Sequence, residues 1–592
     1  MKRCLPLLSV FLSVVVLTTA CRKPAPVREG QGVYQYDSEK VRTGTDRFYA
    51  NKPGVMAPNG MVASAHPEAS RVGVEILKAG GNAVDAAVAV QFALAVVYPV
   101  AGNIGGGGFM VYRDKTGRAY TLDFREKAPA KAHKDMYLDA DGNVIPNLST
   151  LGHLASGVPG SVDGMVEAHR RFGKLSWAQL LQPAIELAEK GFSLTTIQAS
   201  GLTSTLPLIR QVNPGKSYFQ KTDTSGWKPG ERLVQPDLAA TLRRIQAQGR
   251  LGFYEGETAQ LLVAEMQRGK GLITAQDLKD YRSAWREPLV APYKNYRIIT
   301  MPPTSSGGVA LIQLMRLMEP LPIRRWGWNT DSTVQAMIEA ERRVYADRAK
   351  YLGDPDFVKM PIDQLTSRDY LNARWTDFSF ARATDSRQVK GGMIPGYEST
   401  ETTHFSVVDK DGNAVSITTT LNGGYGSKVV VGGAGFLLNN EMDDFSVKPG
   451  VPNMFGLIGN QANAIAPGKR MLSSMTPTIV EKAGKLYMVV GTPGGSTIIT
   501  SVFQTIMNVL EHGMTMQESV NALKFHHQWL PDKTTFEAGA FSEQTLQYLQ
   551  SRGYTLERLT NSLGRMDCIM VRPDGTLEGA SDPRSDNTSI GY

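Results

Sequence analysis

The pattern of apolar residues predicts two helices near the start of the folded region. The first spans Pro67–Ala79 and ends at Gly80-Gly81, because glycine is a common helix terminator. The second spans Asn82–Val97 and is apolar on nearly every face, which is typical of a helix buried between other layers. A glycine-rich turn over residues 102–108 then leads into a strand.

Strand-like segments dominate the chain after residue 402. Strands are predicted over residues 403–409, 413–420, 477–482 and 485–491, and helices over about Ser496–Glu511 and near Gln517–Leu523. Residues 160–380 alternate helical segments with loops. This order favours an α+β fold of stacked sheets with helical outer layers.

A polar segment precedes the first of these strands. Residues 383–401 have few large apolar groups and include Gly391-Gly392, which predicts an exposed, mobile segment where a chain cut could be accommodated. If the cut fell before Thr402, that residue would carry a hydroxyl nucleophile and a free amine, and it could supply its own base. The plain alternative is that threonines simply favour strands.

The turn at residues 410–412 sets which residue faces Thr420. A three-residue turn with Gly412 in the left-handed conformation places Thr402 directly opposite Thr420. A two-residue turn would slip the pairing by one position and place Thr403 there. Only the first register sets two threonine hydroxyls side by side in this way.

Several other segments contain groups suited to a small charged molecule. Gly491–Ser496 joins a strand to a helix, where glycine N–H groups can stabilise an oxyanion. Arg125 can bind a carboxylate with two hydrogen bonds. Glu441 and Asp444 can hold an ammonium group, and Ser473-Ser474 supply hydroxyl donors. Each feature also occurs in ordinary loops, but together they describe a pocket for a zwitterion.

The N-terminus predicts export. Residues 1–20 combine Lys2 and Arg3 with a short apolar stretch, which is typical of a signal peptide and too short to span a bilayer. Cys21 follows a small residue, as in bacterial lipoprotein signals, so it would become the lipidated first residue. The alternative is plain cleavage after Ala20. Residues 21–50 are a polar tether or lead-in, and the predicted location is the bacterial periplasm, either soluble or lipid-anchored.

Composition and residue spacing argue against several kinds of binding site. The chain has 42% hydrophobic and 20% charged residues, which is typical of a folded protein, and its net charge of +8 is not concentrated in aromatic-rich basic runs. We therefore predict no nucleic-acid partner. Cys568 is the one cysteine beyond the N-terminus and reads as a buried thiol on a strand. The adjacent His526-His527 point different ways, and no cofactor or metal site is predicted.

Seven ordered segments resemble the γ-glutamyltransferases (γ-glutamyl transpeptidases) of the N-terminal-nucleophile hydrolase superfamily, and the resemblance runs from about residue 50 to the C-terminus. The matching segments are Asn103–Phe109, Asp123–Glu126, Pro303–Gly308, Thr402–Asp409, Asn440–Phe445, Leu472–Pro477 and Gly494–Ser496.

The resemblance implies an inactive precursor that cuts itself between Glu401 and Thr402. The large subunit, residues 51–401, and the small subunit, residues 402–592, would stay associated as one four-layer αββα sandwich of two antiparallel-type sheets between helical layers. Thr402 would attack the γ-amide of glutathione or another γ-glutamyl compound. Water, an amino acid or a dipeptide would then take the γ-glutamyl group.

The resemblance also implies a role for each site residue. Thr420 would lie against the Thr402 hydroxyl, and the amides of Gly494 and Gly495 would form the oxyanion hole. The substrate α-carboxylate would be bound by Arg125, Ser473 and Ser474. Its α-amino group would be bound by Asn422, Glu441 and Asp444.

Two positions depart from the family pattern. Position 441 is often glutamine in bacterial members, whereas Glu441 adds negative charge toward an ammonium group. Residues 449–456 look like the family's lid loop, and Phe455 stands where a gating tyrosine is common.

Three rival functions remain. A glutaryl or cephalosporin acylase of the same fold takes substrates without the α-amino group, which the residues at 422, 441 and 444 argue against. A serine β-lactamase would use Ser225–Lys228, Ser585–Asn587 and Lys115–Gly117, but their order is wrong. A non-catalytic exported binding lipoprotein would not cut itself.

Overall fold

The structure is a computed structural model that describes residues 53–215, 217–221, 225–389, 402–448, 450–454, 456–457 and 459–592. The predicted signal peptide, the tether with Cys21, Glu401 and Phe455 lie outside the described residues. Across the described ranges, no helix combines the length and the apolar character needed to cross a membrane.

The strands are numbered in chain order: β1 Val55–Ala57, β2 Met61–Ser64, β3 Gly107–Arg113, β4 Ala119–Asp123, β5 Phe192–Ser193, β6 Arg232–Leu233, β7 Ala284–Arg286, β8 Leu289–Tyr293, β9 Tyr296–Thr300, β10 Thr403–Val408, β11 Ala414–Thr420, β12 Thr478–Lys482, β13 Lys485–Val490, β14 Phe525–His527, β15 Thr534–Glu537, β16 Leu556–Leu559, β17 Asp567–Val571, β18 Leu577–Ser581 and β19 Thr588–Gly591.

The helices are numbered in the same way: α1 Pro67–Lys78, α2 Ala83–Val97, α3 Ser161–Phe172, α4 Trp177–Lys190, α5 Thr196–Val212, α6 Pro236–Gln248, α7 Leu251–Tyr254, α8 Gly256–Arg268, α9 Ala275–Asp280, α10 Gly307–Met318, α11 Ile323–Trp326, α12 Asp331–Tyr351, α13 Ile362–Leu365, α14 Arg368–Trp375, α15 Thr497–Leu510, α16 Met516–Asn521 and α17 Glu543–Ser551.

Two seven-stranded antiparallel sheets stack face to face at the centre of the fold. Sheet I has the order β1-β18-β17-β13-β12-β9-β8, and sheet II has the order β19-β2-β10-β11-β3-β4-β7. Helix α2 packs on β10 and β11 of sheet II, while α10, α15 and α16 pack on sheet I. The predicted four-layer αββα arrangement is confirmed.

Strand β10 has two buried faces with different chemistry. Phe405 and Val407 join the apolar core that α2 completes. His404 and Ser406 point the other way, toward sheet I, because successive side chains of a strand alternate. The face of β10 that meets sheet I is therefore largely polar near its start, and Thr402 shares the direction of His404.

The helix predictions agree with the structure to within a residue or two at each end. Every residue of α2 is buried, as its apolar pattern predicts. The prediction of an exposed segment from residue 383 onward is wrong at Ser386 and Val389, which are buried. Ser386 is held by its backbone, whose N–H donates to Asp532 at 2.9 Å and whose carbonyl accepts from Trp529 at 2.9 Å.

Candidate active site

The hairpin of β10 and β11 adopts the three-residue register. Thr403 pairs with Thr419, so Thr402 stands opposite Thr420. In the turn, Gly412 has a φ of 83°, a left-handed conformation that glycine adopts without strain, and its N–H donates to the Asp409 carbonyl at 3.1 Å. The alternative register with Thr403 opposite Thr420 is wrong.

The two threonine hydroxyls meet at the end of the hairpin. Thr402 Oγ1 and Thr420 Oγ1 are 3.5 Å apart, and both residues are buried. The chain turns at Asn422, whose φ is 72°. The Asn422 N–H donates to Thr420 Oγ1 at 2.7 Å. Because the Thr420 oxygen accepts from this N–H, its own proton can point at Thr402. A hydroxyl donor in this position can stabilise negative charge on a neighbouring oxygen.

A neutral imidazole supports the strand below the threonine pair. The Ser406 hydroxyl donates to the Asp567 carbonyl at 2.8 Å, so its oxygen accepts from His404 Nε2–H at 3.1 Å. His404 Nδ1 then accepts from the Thr418 hydroxyl at 2.9 Å. Burial lowers the pKa of His404 to about 3, so the ring stays neutral. With both nitrogens engaged, His404 positions the hairpin and does not act as a base for Thr402.

The turn before α15 shows why glycine is needed there. Gly494 has a φ of 140° and Gly495 a φ of 55°. A Cβ on Gly494 would lie 2.5 Å from Thr497 Oγ1. The Thr497 N–H and hydroxyl both donate to the Gly494 carbonyl, at 3.0 and 2.8 Å. Gly495 lines the same cavity as Thr402, so the N-terminus of α15 reaches the site.

A buried arginine joins the two predicted acids. The Arg125 guanidinium bonds Glu441 through one terminal nitrogen and Asp444 through the other, while its Nε–H donates to the Met471 carbonyl at 3.3 Å. Burial acts to lower the pKa of Arg125, but the adjacent carboxylates outweigh it and hold that pKa above the ordinary value. Glu441–Asp444 forms a 3₁₀ helix in which Glu441 and Asp443 are buried and Asp444 is partly buried, in contrast to a solvated loop.

Two carboxyl groups in this cluster have oxygens available to other groups. Glu441 Oε2 and both oxygens of Glu126 have no hydrogen-bond partner among the residues that the structure describes. Burial raises the pKa of Glu126 to about 8, although Arg125, whose nitrogen is 3.6 Å from Glu126 Oε2, opposes the shift. Burial also raises the pKa of Glu441 and of Asp444 against the same opposing charge.

The adjacent serines are oriented as donors. The Met475 N–H donates to Ser473 Oγ at 3.1 Å, and an Arg348 N–H donates to Ser474 Oγ at 3.1 Å. Each hydroxyl oxygen is therefore an acceptor within the protein, which leaves its proton for a group in the cavity. The Ser306 N–H and hydroxyl donate to the Ser473 carbonyl at 2.8 and 2.5 Å, so the loop before α10 fixes this pair.

One cavity collects the predicted residues. The space between them, including its opening to solvent, is about 270 Å³. Its lining comprises Arg125, Thr402, Thr420, Asn422, Glu441, Asp444, Leu457, Ser473, Ser474, Met475, Gly495 and Ile498. The one predicted residue of the described chain that is absent from this lining is Gly494, which directly precedes Gly495.

The predicted lid segment also reaches this cavity. Asn453 Nδ2–H donates to Asp444 at 3.0 Å, and the Met454 sulfur is 3.6 Å from Asn422 Nδ2. Arg348, Ser306 and His404 belong to the site as well, although none of them is among the predicted site residues. Ser306 and His404 lie in matching family segments, and the helical spacing of Tyr345 and Arg348 puts both on one face of α12.

The comparisons with known proteins agree with this geometry. The sequence profile of the family Gamma-glutamyltranspeptidase matches residues 69–592. The chain is 47% identical over 540 residues to a glutathione hydrolase proenzyme of Escherichia coli (strain K12), with 91% of this chain and 93% of the relative covered.

Two solved structures are also similar. A cephalosporin acylase from Bacillus halodurans is 27% identical with a TM-score of 0.81, covering 92% of this chain and 97% of its own. A Helicobacter pylori gamma-glutamyltranspeptidase chain is 43% identical with a TM-score of 0.55, covering 58% of this chain and 97% of its own. The fold and the family predicted from the sequence are confirmed: the chain belongs to the gamma-glutamyltranspeptidase family.

Proposed function

We propose that the chain cuts itself before Thr402 and that this threonine then transfers the γ-glutamyl group of glutathione, or of another γ-glutamyl compound, to water, amino acids or dipeptides. The proposal rests on the hydroxyl oxygens of Thr402 and Thr420, which are 3.5 Å apart. Both threonines line a cavity that also contains one arginine and two acids. The Escherichia coli relative is named as a glutathione hydrolase and as a proenzyme, which supports both parts.

Self-cleavage begins with attack of Thr402 Oγ on the Glu401 carbonyl carbon. The C–N bond breaks as an ester forms, and the Thr402 nitrogen takes the hydroxyl proton to become a free amine. Water then hydrolyses the ester, which leaves a carboxylate on Glu401. The products are a large subunit, residues 51–401, and a small subunit, residues 402–592, in the two-subunit form to which enzymes of this family mature.

In the mature enzyme, the Thr402 amine accepts the proton from its own hydroxyl as Oγ attacks the γ-carbonyl carbon of the donor. Thr420 donates to the attacking oxygen, and the N–H groups of Gly494 and Gly495 stabilise the tetrahedral oxyanion. The leaving amine takes the proton from the Thr402 ammonium group. The resulting γ-glutamyl ester is then attacked by water or by an acceptor amine, which regenerates the threonine.

The head group of the donor is a zwitterion, and the cavity has partners for both charges. Arg125 and the hydroxyls of Ser473 and Ser474 would bind the α-carboxylate. The second oxygen of Glu441, together with Asp444 and Asn422, would accept from the α-ammonium group. Since Arg125 already links the two acids, the head group would enter a pre-organised network, which lowers the entropy cost of binding.

A cephalosporin or glutaryl acylase is the second candidate, and the similarity to the Bacillus halodurans structure favours it. Two substrates separate the candidates: L-γ-glutamyl anilide and glutaryl anilide, which differ by the α-amino group. We expect faster turnover of the γ-glutamyl compound, and Thr402→Ala should turn over neither. Faster turnover of glutaryl anilide would favour the acylase.

We also propose export to the periplasm, with Cys21 either lipidated or left unmodified after plain cleavage behind Ala20. The basis is the predicted signal peptide and the residue that follows it. Mass spectrometry of the purified large subunit distinguishes the two outcomes, since a lipid-modified Cys21 adds the mass of its acyl chains. A Cys21→Ala variant would move from the membrane fraction to the soluble fraction only if the lipid is present.

A further inference from the structure

One buried cation near the site is hydrogen-bonded to two hydroxyl groups. Arg348, on α12, is 5% exposed. Among the described residues, none of the carboxylates lies within 4.0 Å of its nitrogens. Its guanidinium instead donates to Ser306 Oγ at 2.8 Å and to Ser474 Oγ at 3.1 Å. Buried arginines usually pair with an acid, because an unpaired buried charge is costly.

We propose that Arg348 is a positioning residue for the α-carboxylate of the donor, acting through the two serines and supplying the second positive charge of this subsite. The inference rests on the proposed function. Arg348 lies outside the cavity lining, so it would act on the substrate only through the hydroxyls that it orients.

The hydrogen bonds give Arg348 control over both serines. It donates directly to Ser474, so the Ser474 proton is left for the cavity. It also donates to Ser306, whose own hydroxyl donates to the Ser473 carbonyl at 2.5 Å. One guanidinium therefore fixes the Ser474 side chain and, through one intermediate, the Ser473 backbone. Hydroxyls held in one rotamer donate to a carboxylate without a further loss of conformational entropy.

The charges of the cluster also support a second cation at the carboxylate subsite. Arg125 bonds both Glu441 and Asp444, so these three groups leave one negative charge beside the carboxylate subsite when both acids are ionised. Arg348 balances that charge. It remains a cation at neutral pH, since burial lowers its pKa only to about 10. Without Arg348, the α-carboxylate would approach a negative cluster in a buried environment, where charges are poorly screened.

Helix α12 connects this subsite with the oxyanion turn. Tyr345 precedes Arg348 by about one helical turn, and its hydroxyl donates to the Ser496 carbonyl directly before α15. The same face of one helix therefore contacts both ends of the cavity. This arrangement suits a helix that sets the distance between the donor's head group and its reacting carbonyl.

The test compares Arg348→Gln, which removes the charge, with Arg348→Lys, which keeps it. The substrates are L-γ-glutamyl anilide and 4-aminobutyryl anilide, which lacks the α-carboxylate. For the γ-glutamyl compound we expect Arg348→Gln to raise KM about 10- to 100-fold with little change in kcat, as expected for a lost charge-assisted hydrogen bond. Arg348→Lys should recover part of the loss, and 4-aminobutyryl anilide should be cleaved with an unchanged kcat/KM.

Ser474→Ala provides a second line of evidence. If Arg348 acts through Ser474, the effects of the two substitutions on KM should be clearly less than additive. Equal losses on both anilides, or a fall in kcat alone, would overturn the inference and leave Arg348 a purely structural residue. If Arg348→Gln is not cut into two subunits, KM for the two anilides is measured on Ser306→Ala and Arg348→Lys instead, and the same outcomes apply. An inactive wild type would instead overturn the proposed function.

Discussion

Replacing Thr420 with valine isolates the hydroxyl beside the nucleophile. Valine has nearly the same shape, so the core around β11 is kept while two hydrogen bonds are lost. One is the contact with Thr402 Oγ1 at 3.5 Å, and the other is the bond from the Asn422 N–H at 2.7 Å. The change therefore removes the donor that we assign to the attacking oxygen.

The two lost bonds differ in their consequences. Leaving the buried Asn422 N–H unpaired should cost about 1–3 kcal/mol of stability. Losing the donor to Thr402 should matter mainly in the transition state, where the oxygen is partly negative. A bond of about 1.5–3 kcal/mol to a charged group corresponds to a fall in kcat of roughly 10- to 150-fold.

The matched control is Thr418→Val, one pair further along the same face of β11. The Thr418 hydroxyl bonds His404 at 2.9 Å and lies away from the reacting oxygen. Both variants should unfold at lower temperature than the wild type, but only Thr420→Val should lower kcat on L-γ-glutamyl anilide by more than tenfold. An unchanged kcat in Thr420→Val, or an equal loss in the control, would show that the Thr420 hydroxyl does not stabilise the attacking oxygen.

Two further predictions concern the charged cluster and the glycine turn. Glu126 has a pKa raised from its ordinary 4.5 to about 8, so the folded protein retains a proton that the unfolded chain releases. Stability should therefore fall as pH rises from 4.5 to about 8, and Glu126→Gln should remove this component in thermal unfolding scans across that window. We also expect the KM of the wild type for the donor, divided by the KM of Glu126→Gln, to rise above pH 8. The reason is that ionised Glu126 adds a negative charge next to Arg125. A ratio that does not change with pH would contradict this expectation. Gly494→Ala should lower kcat about 100-fold, since its Cβ would lie 2.5 Å from Thr497 Oγ1 in a turn that we assign to the oxyanion. Gly484→Ala, at a φ of 76° with open space around it, is the control and should keep full activity.

Local patterns predicted much of the fold. The apolar faces of Ala83–Val97 require burial wherever the helix is placed. The sequence around Gly412 allows two turns, so it limits the residue opposite Thr420 to Thr402 or Thr403, and the family resemblance favours Thr402, as the structure has it. The family resemblance identified the polar residues and the glycine that line the cavity, but not the apolar Leu457, Met475 and Ile498.

Long-range pairing was not predictable in the same way. Arg125 and Glu441 are 316 positions apart, and nothing local shows that one bonds the other. Helix α12 has many charged residues, a composition typical of a solvated face, yet Arg348 lies buried behind Ser474. The anchoring of Ser386 by Asp532 and Trp529 likewise depends on distant segments, which explains why the burial of Ser386 was not predicted.

In the proposed mechanism, Thr402 first cuts the chain and then serves as the nucleophile. Both steps are tested by denaturing electrophoresis with N-terminal sequencing of purified wild type and Thr402→Ala. We predict two chains for the wild type, the smaller beginning at Thr402, and one intact chain for the variant. An uncut wild type, or a variant that still separates into two chains at the same position, would contradict the account.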